Sequence, residues 1–257
     1  MSVITLTTDF GETDPAVGTI KGVIYNIYPE AKIVNITNNI AQQDIWQANF
    51  VLSNSYSYFP KGSIHLCIVD PGVGGLRKPV LITSRNYFFI GPDNGIFTGI
   101  LEKEEVTSVT ELTEKKYWLK DISNTFHGRD IFSPVAANLA KGEIPEKFGK
   151  SIKKESLHSL PLSKPVKNGN ALKGLVQYID RFGNLITNIP NEYVIDKVFG
   201  KFKNFHFTGL MSSYSKGEPK KLFAIKGSHG FIELSINKGN AAKLTSAEVG
   251  DKVELSS

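Results

Sequence analysis

Ile64-His65-Leu66-Cys67-Ile68-Val69 runs without a break into Asp70-Pro71-Gly72-Val73-Gly74-Gly75-Leu76-Arg77. The first part reads as a buried strand over residues 63–69, and the second as a loop that begins with a carboxylate and ends with a guanidinium. Glycines at 72, 74 and 75 give the backbone access to positive φ and to close approach of a ligand. That freedom carries an entropic cost that a purely structural loop has little reason to bear, so the loop is read as a ligand site.

Upstream of this strand, short β-branched runs alternate with helical periodicity. Residues 3–7 read as a strand, and Thr13-Asp14-Pro15 combines an N-cap candidate with proline at the first helical position, opening a helix that runs to about residue 28 and is closed by Pro29. Residues 32–36 form the next strand, and 44–58 an amphipathic helix stopped before Pro60. The order is β-α-β-α-β, which predicts a parallel sheet with right-handed crossovers and helices on both faces. Such sheets bind ligands at the carboxyl ends of their strands, which selects Asp9, after the first strand, and Asp70, after the third. Asp9 also has a capping reading, within Asp9-Phe10-Gly11-Glu12. Asp93, in Gly91-Pro92-Asp93-Asn94-Gly95, is a lesser candidate, because an Asx-type turn explains it equally well.

Downstream, Thr125-Phe126-His127-Gly128-Arg129-Asp130-Ile131-Phe132 leads into an Ala-rich helix over 135–140. His127 is placed to face a site, although a lone histidine is often structural, and Arg129 with Asp130 reads equally as an ion pair at the helix start. Residues 157–169 hold two prolines and little periodicity. This marks the boundary of an N-terminal α/β domain (1–160), a linker (161–170) and a C-terminal domain (171–257). Short runs at 172–179, 185–189, 205–207, 222–225, 231–236 and 252–255, with no long helix, predict a small β-barrel or sandwich. Its most informative segment, Tyr178-Ile179-Asp180-Arg181-Phe182-Gly183-Asn184-Leu185, crowds polar groups and an aromatic ring into a hairpin-like turn. The fold class is therefore α/β: an N-terminal α/β sandwich with a mostly parallel sheet, plus a C-terminal β-barrel.

Composition narrows the classes of function. The 257 residues are 40% hydrophobic and 21% charged, as in ordinary globular proteins. One cysteine, Cys67, rules out an internal disulfide and a cysteine zinc cage, and a reducing cytoplasm is the expected home. No basic leader or long apolar run points to export or membrane insertion. The net charge is +5; residues 1–100 hold six Lys+Arg against seven Asp+Glu, net −1, leaving +6 for the rest. The later lysines are scattered, with no arginine-rich stripe and no RNA-binding aromatic signature, so no nucleic-acid partner is expected. His65, His127, His158, His206 and His229 show no paired metal-ligand spacing, and no metal is expected.

Six segments in order carry a resemblance that runs nearly end to end: Thr7-Thr8-Asp9-Phe10-Gly11, Val69-Asp70-Pro71-Gly72-Val73-Gly74, Gly91-Pro92-Asp93-Asn94-Gly95, Thr125-Phe126-His127-Gly128-Arg129-Asp130, Asp180-Arg181-Phe182-Gly183-Asn184 and Gly239-Asn240-Ala241-Ala242. Together they resemble the adenosine-forming S-adenosyl-L-methionine hydrolases, also called SAM hydroxide adenosyltransferases, relatives of the fluorinating and chlorinating halogenases. The resemblance implies an N-terminal α/β domain, a C-terminal β-barrel, and a homotrimer with substrate held between neighbouring subunits. It implies that Asp70, Arg77 and His127 position and activate water, a trio that the halogenases replace with a halide pocket. It further implies that Asp9 holds the ribose hydroxyls, Asn184 contacts adenine, Asp180 and Ser228 bind the methionine amine and carboxylate, and Phe182 and Trp46 supply apolar walls. S-adenosyl-L-methionine is then the substrate, and no cofactor is implied. The sequence departs from some relatives at His229, where they carry arginine.

The chemistry expected from these groups is simple. The sulfonium makes C5′ electrophilic and departs as a neutral thioether, so neither a leaving-group acid nor a metal is required. The nucleophile is the difficulty, because bulk water has a pKa of about 15.7 and hydroxide is scarce without nearby positive charge. Arg77 supplies that charge, while Asp70 and His127 offer lone pairs to accept hydrogen bonds or a proton. Holding the oxygen in line at about 3–3.5 Å contributes roughly 7–11 kcal/mol through positioning.

Overall fold

Strand β1 (Val3–Thr8), helix α1 (Ala16–Ile27), strand β2 (Lys32–Thr37), helix α2 (Ile45–Ser53) and strand β3 (Ile64–Ile68) follow one another, and β1 pairs in parallel with β2 on one side and β3 on the other. The structure is a computed structural model that describes residues 2–194 and 198–256, and the chain divides into two units, Met1–Leu160 and Pro161–Ser257.

After β3 the alternation stops. Strands β4 (Pro79–Ser84) and β5 (Phe88–Pro92), helix α3 (Thr98–Lys103), strand β6 (Val106–Leu112), helix α4 (Ser133–Lys141) and strand β7 (Gly149–Ser151) complete a seven-stranded sheet in the order β2-β1-β3-β5-β4-β6-β7. Pairing is parallel from β2 through β5 and antiparallel from β5 through β7, so the sheet is parallel in its first half only. The physical reason lies in the connections. A glycine loop rather than a helix follows β3, and three residues (85–87) join β4 to β5, a span that permits only an antiparallel hairpin.

Side-chain alternation along the strands divides the core into two layers. Ile4, Leu6, Ile64, Leu66 and Ile68 pack against Ile20 and Ile24 of α1 and Val135 and Ala136 of α4, while Cys67, Ile82 and Phe89 pack with Ala48 and Leu52 of α2 and Ile100 of α3. Each buried aliphatic side chain contributes about 1.5–3 kcal/mol. Two helices differ in detail from the sequence reading. Pro15 takes the cap position of α1, its carbonyl accepting from the Thr19 amide at 2.8 Å, and neither Thr13 nor Asp14 caps the helix. Helix α2, expected over 44–58, has Asp44 as its N-cap and ends at Ser53. There Asn54 and Ser55 donate their side chains to the carbonyls of Phe50 and Val51, competing with helix continuation, and a 3₁₀ turn at Tyr56–Tyr58 follows.

His65 is fully buried in the second layer, hydrogen-bonded through Nδ1 to the Thr5 hydroxyl at 2.8 Å and stacked on Phe89. Burial pushes its pKa down to about 3 from an ordinary 6.5. The unfolded chain therefore takes up a proton below about pH 6.5 that the folded chain refuses, so this group costs stability as pH falls from about 6.5 towards 3. Between pH 7 and pH 5 the loss is expected to be on the order of 2 kcal/mol, visible as a shift in urea unfolding that His65→Leu abolishes.

The second unit contains strands β8 (Val166–Asn168), β9 (Ala171–Ile179), β10 (Leu185–Pro190), β11 (Phe199–Phe202), β12 (Phe205–Thr208), β13 (Leu210–Met211), β14 (Leu222–Lys226) and β15 (Phe231–Ile236), helix α5 (Ala241–Thr245) and strand β16 (Lys252–Ser256). The order is β12-β11-β16-β9-β10-β15-β14-β13, with β8 on β9, and β12 comes into contact with β14. The sheet is nearly closed into a barrel around Val176, Leu185, Phe202, Ile232, Leu234 and Val253. Among the described residues no helix is long and apolar enough to cross a membrane.

Candidate active site

Because β1 and β3 are parallel neighbours with Thr8 opposite Ile68, the residues that follow them leave the sheet at one edge. Asp9 and Asp70 emerge there and line an open cleft of about 270 Å³ with Phe10, Gln43, Phe126 and His127. This is the carboxyl-end position at which a parallel sheet binds ligands.

Arg77 joins the two catalytic candidates that flank it. Its Nε donates to Asp70 Oδ1 at 2.9 Å and Oδ2 at 3.0 Å, and its Nη2 donates to Oδ2 and, at 2.7 Å, contacts His127 Nδ1. The side chains of Arg77 and Asp70 are only 8% and 6% exposed, so this is a buried, fork-shaped ion pair. A guanidinium has donors only, so His127 Nδ1 must accept, and the ring is neutral with its proton on Nε2. Burial, and then the positive charge of Arg77, hold the His127 pKa below its ordinary value against the opposing pull of Asp70 and Asp130. Arg77 also lies over the Phe132 ring, 5.5 Å from its centre.

Two turns and one close backbone approach bring residues 50 positions apart together. The Val73 amide bonds the Asp70 carbonyl and the Gly75 amide bonds the Gly72 carbonyl, two turns that fold Arg77 back onto Asp70. Of the three loop glycines only Gly74 has positive φ (+75°), and a Cβ there would stand 2.3 Å from the Asn124 carbonyl oxygen. Gly74 thus lets the Asp70 loop lie against the segment that leads to His127, where a side chain would separate them. His127 itself precedes a single π-turn, Gly128–Phe132, which runs directly into α4.

Asp9 is not a helix cap. Its Oδ2 accepts the Gln43 amide at 2.9 Å, α1 starts only at Ala16, and Oδ1 has no hydrogen-bond partner among the described residues. Asp93 is 4% exposed and is spent on His158, accepting its amide at 2.8 Å and facing its Nδ1 at 3.2 Å. The neighbour Asn94 does more for the site, donating Nδ2 to the Val69 carbonyl at 2.9 Å and so steadying the residue before Asp70. Arg129 and Asp130 form an ion pair at 2.6 Å, and the buried Asp130 also accepts the Ser123 amide. Gln43, Asn94 and Phe10 carry no chemical signature of their own, although Phe10 and Asn94 lie inside two of the recurring segments.

In the second unit Asp180 and Asn184 form one cluster at the β9–β10 turn. Asp180 Oδ1 accepts the amides of Phe182 and Asn184, and Oδ2 accepts Asn184 Nδ2 at 2.8 Å. One lone pair on Oδ2 remains, and Asn184 keeps its Oδ1 and one Nδ2 hydrogen. Gly183 has positive φ (+83°) and lies tightly against the Asn240 side chain, whose Oδ1 caps α5. Ser228 is exposed on the turn between β14 and β15; Phe182 and Trp46 are exposed to 76% and 44%, and Trp46 does not line the cleft. A separate hollow of about 600 Å³ in this unit, rimmed by Lys164, Lys173, Lys201, Lys203, Lys252 and Glu254, contains none of these groups. Among the described residues no three His, Cys, Asp or Glu side chains converge as a metal site would require.

Comparison with known proteins identifies the family. Residues 4–149 match the N-terminal domain of the SAM hydroxide adenosyltransferases and residues 174–254 the C-terminal domain. The chain is 34% identical to an (R)-S-adenosyl-L-methionine hydrolase of Methanocaldococcus jannaschii, covering 99% of this chain and 96% of that protein, and 32% identical to one of Thermus thermophilus, covering 96% of each. A fluorinase of Actinoplanes sp. is more distant, 24% identical over 73% of this chain and 71% of its own length. A crystal structure of an uncharacterized conserved protein from Thermotoga maritima superposes with a TM-score of 0.94 at 32% identity, covering 99% of this chain and all of that one. With both domain models matched in order and full-length relatives above 30% identity, the chain belongs to the SAM hydroxide adenosyltransferase family.

Proposed function

We propose that this enzyme hydrolyses S-adenosyl-L-methionine to adenosine and L-methionine by in-line attack of water on C5′, and that the sulfonium epimer it takes is the (R) form named for its relatives. The observation that carries this reading is the buried contact of Arg77 with both Asp70 and His127 at the wall of the cleft. In the reaction the water oxygen bonds to C5′, the C5′–S bond breaks, and its electron pair stays on sulfur as the thioether of methionine. Asp70 takes the proton from water and passes it to solvent, Arg77 stabilises developing negative charge, and His127 Nε2–H orients the oxygen. The sulfonium leaves as a neutral group, so the step calls on no cofactor and no metal.

Asp9, with Oδ1 open, accepts the two ribose hydroxyls. Asn184 offers donor and acceptor to the adenine edge, Asp180 its last lone pair to the methionine ammonium, and Ser228 a hydroxyl to the carboxylate, with Phe182 and Trp46 as apolar walls. These groups act together in a homotrimer, where one subunit's Asp180 and Ser228 complete a neighbour's cleft. Light scattering is expected to give a trimer, and a monomer that turns over at full rate would remove the shared site.

The decisive test uses each sulfonium epimer in oxygen-18 water, with and without chloride, followed by mass spectrometry. One labelled oxygen in adenosine without halide is expected. Formation of 5′-chloro-5′-deoxyadenosine only with chloride would instead make this chain a halogenase, the activity to which its fluorinase relatives point. Intact substrate despite measured binding would make it a sensor.

A further inference from the structure

The later lysines are scattered along the sequence, but the fold gathers five of them. Residues 161–257 hold fourteen Lys+Arg against eight Asp+Glu, net +6, while residues 1–160 hold sixteen against seventeen, net −1. The positive surplus of the chain therefore belongs to the second unit. There Lys164, Lys173, Lys201, Lys203 and Lys252 rim the hollow of about 600 Å³, with Glu254 as the one acid among its described lining residues. Strand register accounts for the gathering. Phe202 of β11 pairs with Val253 of β16 and both lie in the core, so their chain neighbours Lys201, Lys203, Lys252 and Glu254 stand on the other face. Glu254 lies opposite Lys201 on one side and Lys173 of β9 on the other. Lys164 is brought to the rim by Asn188, whose Nδ2 donates to the Ser163 carbonyl at 2.7 Å and whose Oδ1 accepts the Leu175 amide at 2.9 Å. Lys203 is neutralised within the unit, its Nζ 2.8 Å from Asp251 Oδ2 and also bonded to the Ser246 carbonyl. None of the ion pairs among the described residues involves Lys164, Lys173, Lys201 or Lys252. Like charges gathered on one sheet face repel one another, a cost that a bound anion removes.

We propose that this hollow binds a short chain of phosphate groups, a free oligophosphate, at one site per chain. Its volume lies within the range of small-ligand sites, about 300–1,000 Å³. Its charged donors are ammonium groups, each with three N–H bonds and no fixed plane, which suits phosphate oxygens that point in all directions. Among the described lining residues there is no arginine, so a carboxylate meets no planar fork, and no aromatic ring, so a nucleobase meets no stacking platform. Recognition is therefore by density of negative charge. Lys173 and Lys201 lie on strands two spacings apart, about 10 Å, a span that a chain of phosphates matches better than a single one. None of the hollow's residues takes part in the proposed hydrolysis, so the site stands or falls independently of that reaction.

The test is calorimetric titration of the full chain with inorganic tripolyphosphate in about 0.1 M salt, where exposed charges further apart than about 10 Å are screened. One equivalent per chain is expected, with a Kd below about 100 μM and weaker binding of inorganic monophosphate. Lys173→Gln with Lys201→Gln is expected to weaken binding at least about tenfold, because it removes two charged donors and leaves Glu254 exposed to the ligand. Glu254→Gln, which removes the acid at the centre of the row, is expected to tighten it. Lys216→Gln with Lys220→Gln takes the same charge from exposed positions of the same unit outside the hollow and is expected to change the Kd by less than about twofold. Circular dichroism of each variant shows that it is folded. Absence of binding, more than one equivalent per chain, equal weakening by the two lysine pairs, or looser binding by Glu254→Gln would overturn the proposal. Tighter binding of a ten-residue oligothymidylate than of tripolyphosphate would also overturn it, making this face a nucleic-acid surface instead.

Discussion

Asparagine at position 70 is expected to lower kcat by about three orders of magnitude with little change in KM, whereas His127→Asn is expected to cost about a hundredfold. The difference follows from which atoms remain able to take a proton. His127 Nδ1 faces a guanidinium that can only donate, so that nitrogen is committed as an acceptor to Arg77 and Nε2 already carries the ring's proton. Asp70 Oδ2 receives two bonds from Arg77, but Oδ1 receives one and keeps a lone pair at the wall of the cleft. Asparagine preserves the shape and removes the proposed proton acceptor. It also turns an amide NH₂ or a weaker acceptor towards Arg77, so the guanidinium loses its anchor as well. Steady-state rates for the two variants, with circular dichroism to show that both are folded, decide the matter. Equal losses would take the base assignment away from Asp70.

The sequence reveals the parallel half of the first unit because its signals are local. The strands β1, β2 and β3 and the two helices between them each have their own period, and the edge rule then brings Asp9 and Asp70 together. The antiparallel half is harder to read, since β4 and β6 are stabilised by pairing with strands distant in sequence, and a short run such as Pro79–Ser84 has no amphipathic pattern to distinguish it. The same holds for β11, where Gly200 interrupts the run so that the Phe207 ring can lie against its backbone. Within the site, the residue types are legible but the contacts are not. Nothing in the spacing of Arg77 and His127 predicts that one guanidinium reaches both His127 and Asp70, because the Gly74 approach to Asn124 that makes this possible is a fact of tertiary packing. Asp93 shows the opposite case. A turn aspartate that suits a ligand site equally well is consumed by the segment that carries His158.

Arg77→Ala is expected to do two separable kinds of damage. Its charge is the nearest fixed cation to Asp70, and removing one such preorganised donor typically costs about 10²–10³ in kcat. Its absence also leaves Asp70, 6% exposed, buried without a counter-ion, a defect worth about 3–5 kcal/mol of stability and, for a chain of this size, about 10 °C in Tm. Arg77→Lys separates the two effects. An ammonium keeps the charge beside Asp70 and so retains most of the stability, but one point donor cannot hold both carboxylate oxygens and reach His127 Nδ1 as the planar fork does. The lysine variant is therefore expected to melt near the wild type yet turn over markedly more slowly. If turnover followed charge alone, Arg77→Lys would match the wild type, and the fork geometry would be irrelevant to the chemistry. If Arg77→Ala also melted and turned over as the wild type does, the carboxylate would have to be neutral in the folded protein, and it would then be unable to serve as the base at all.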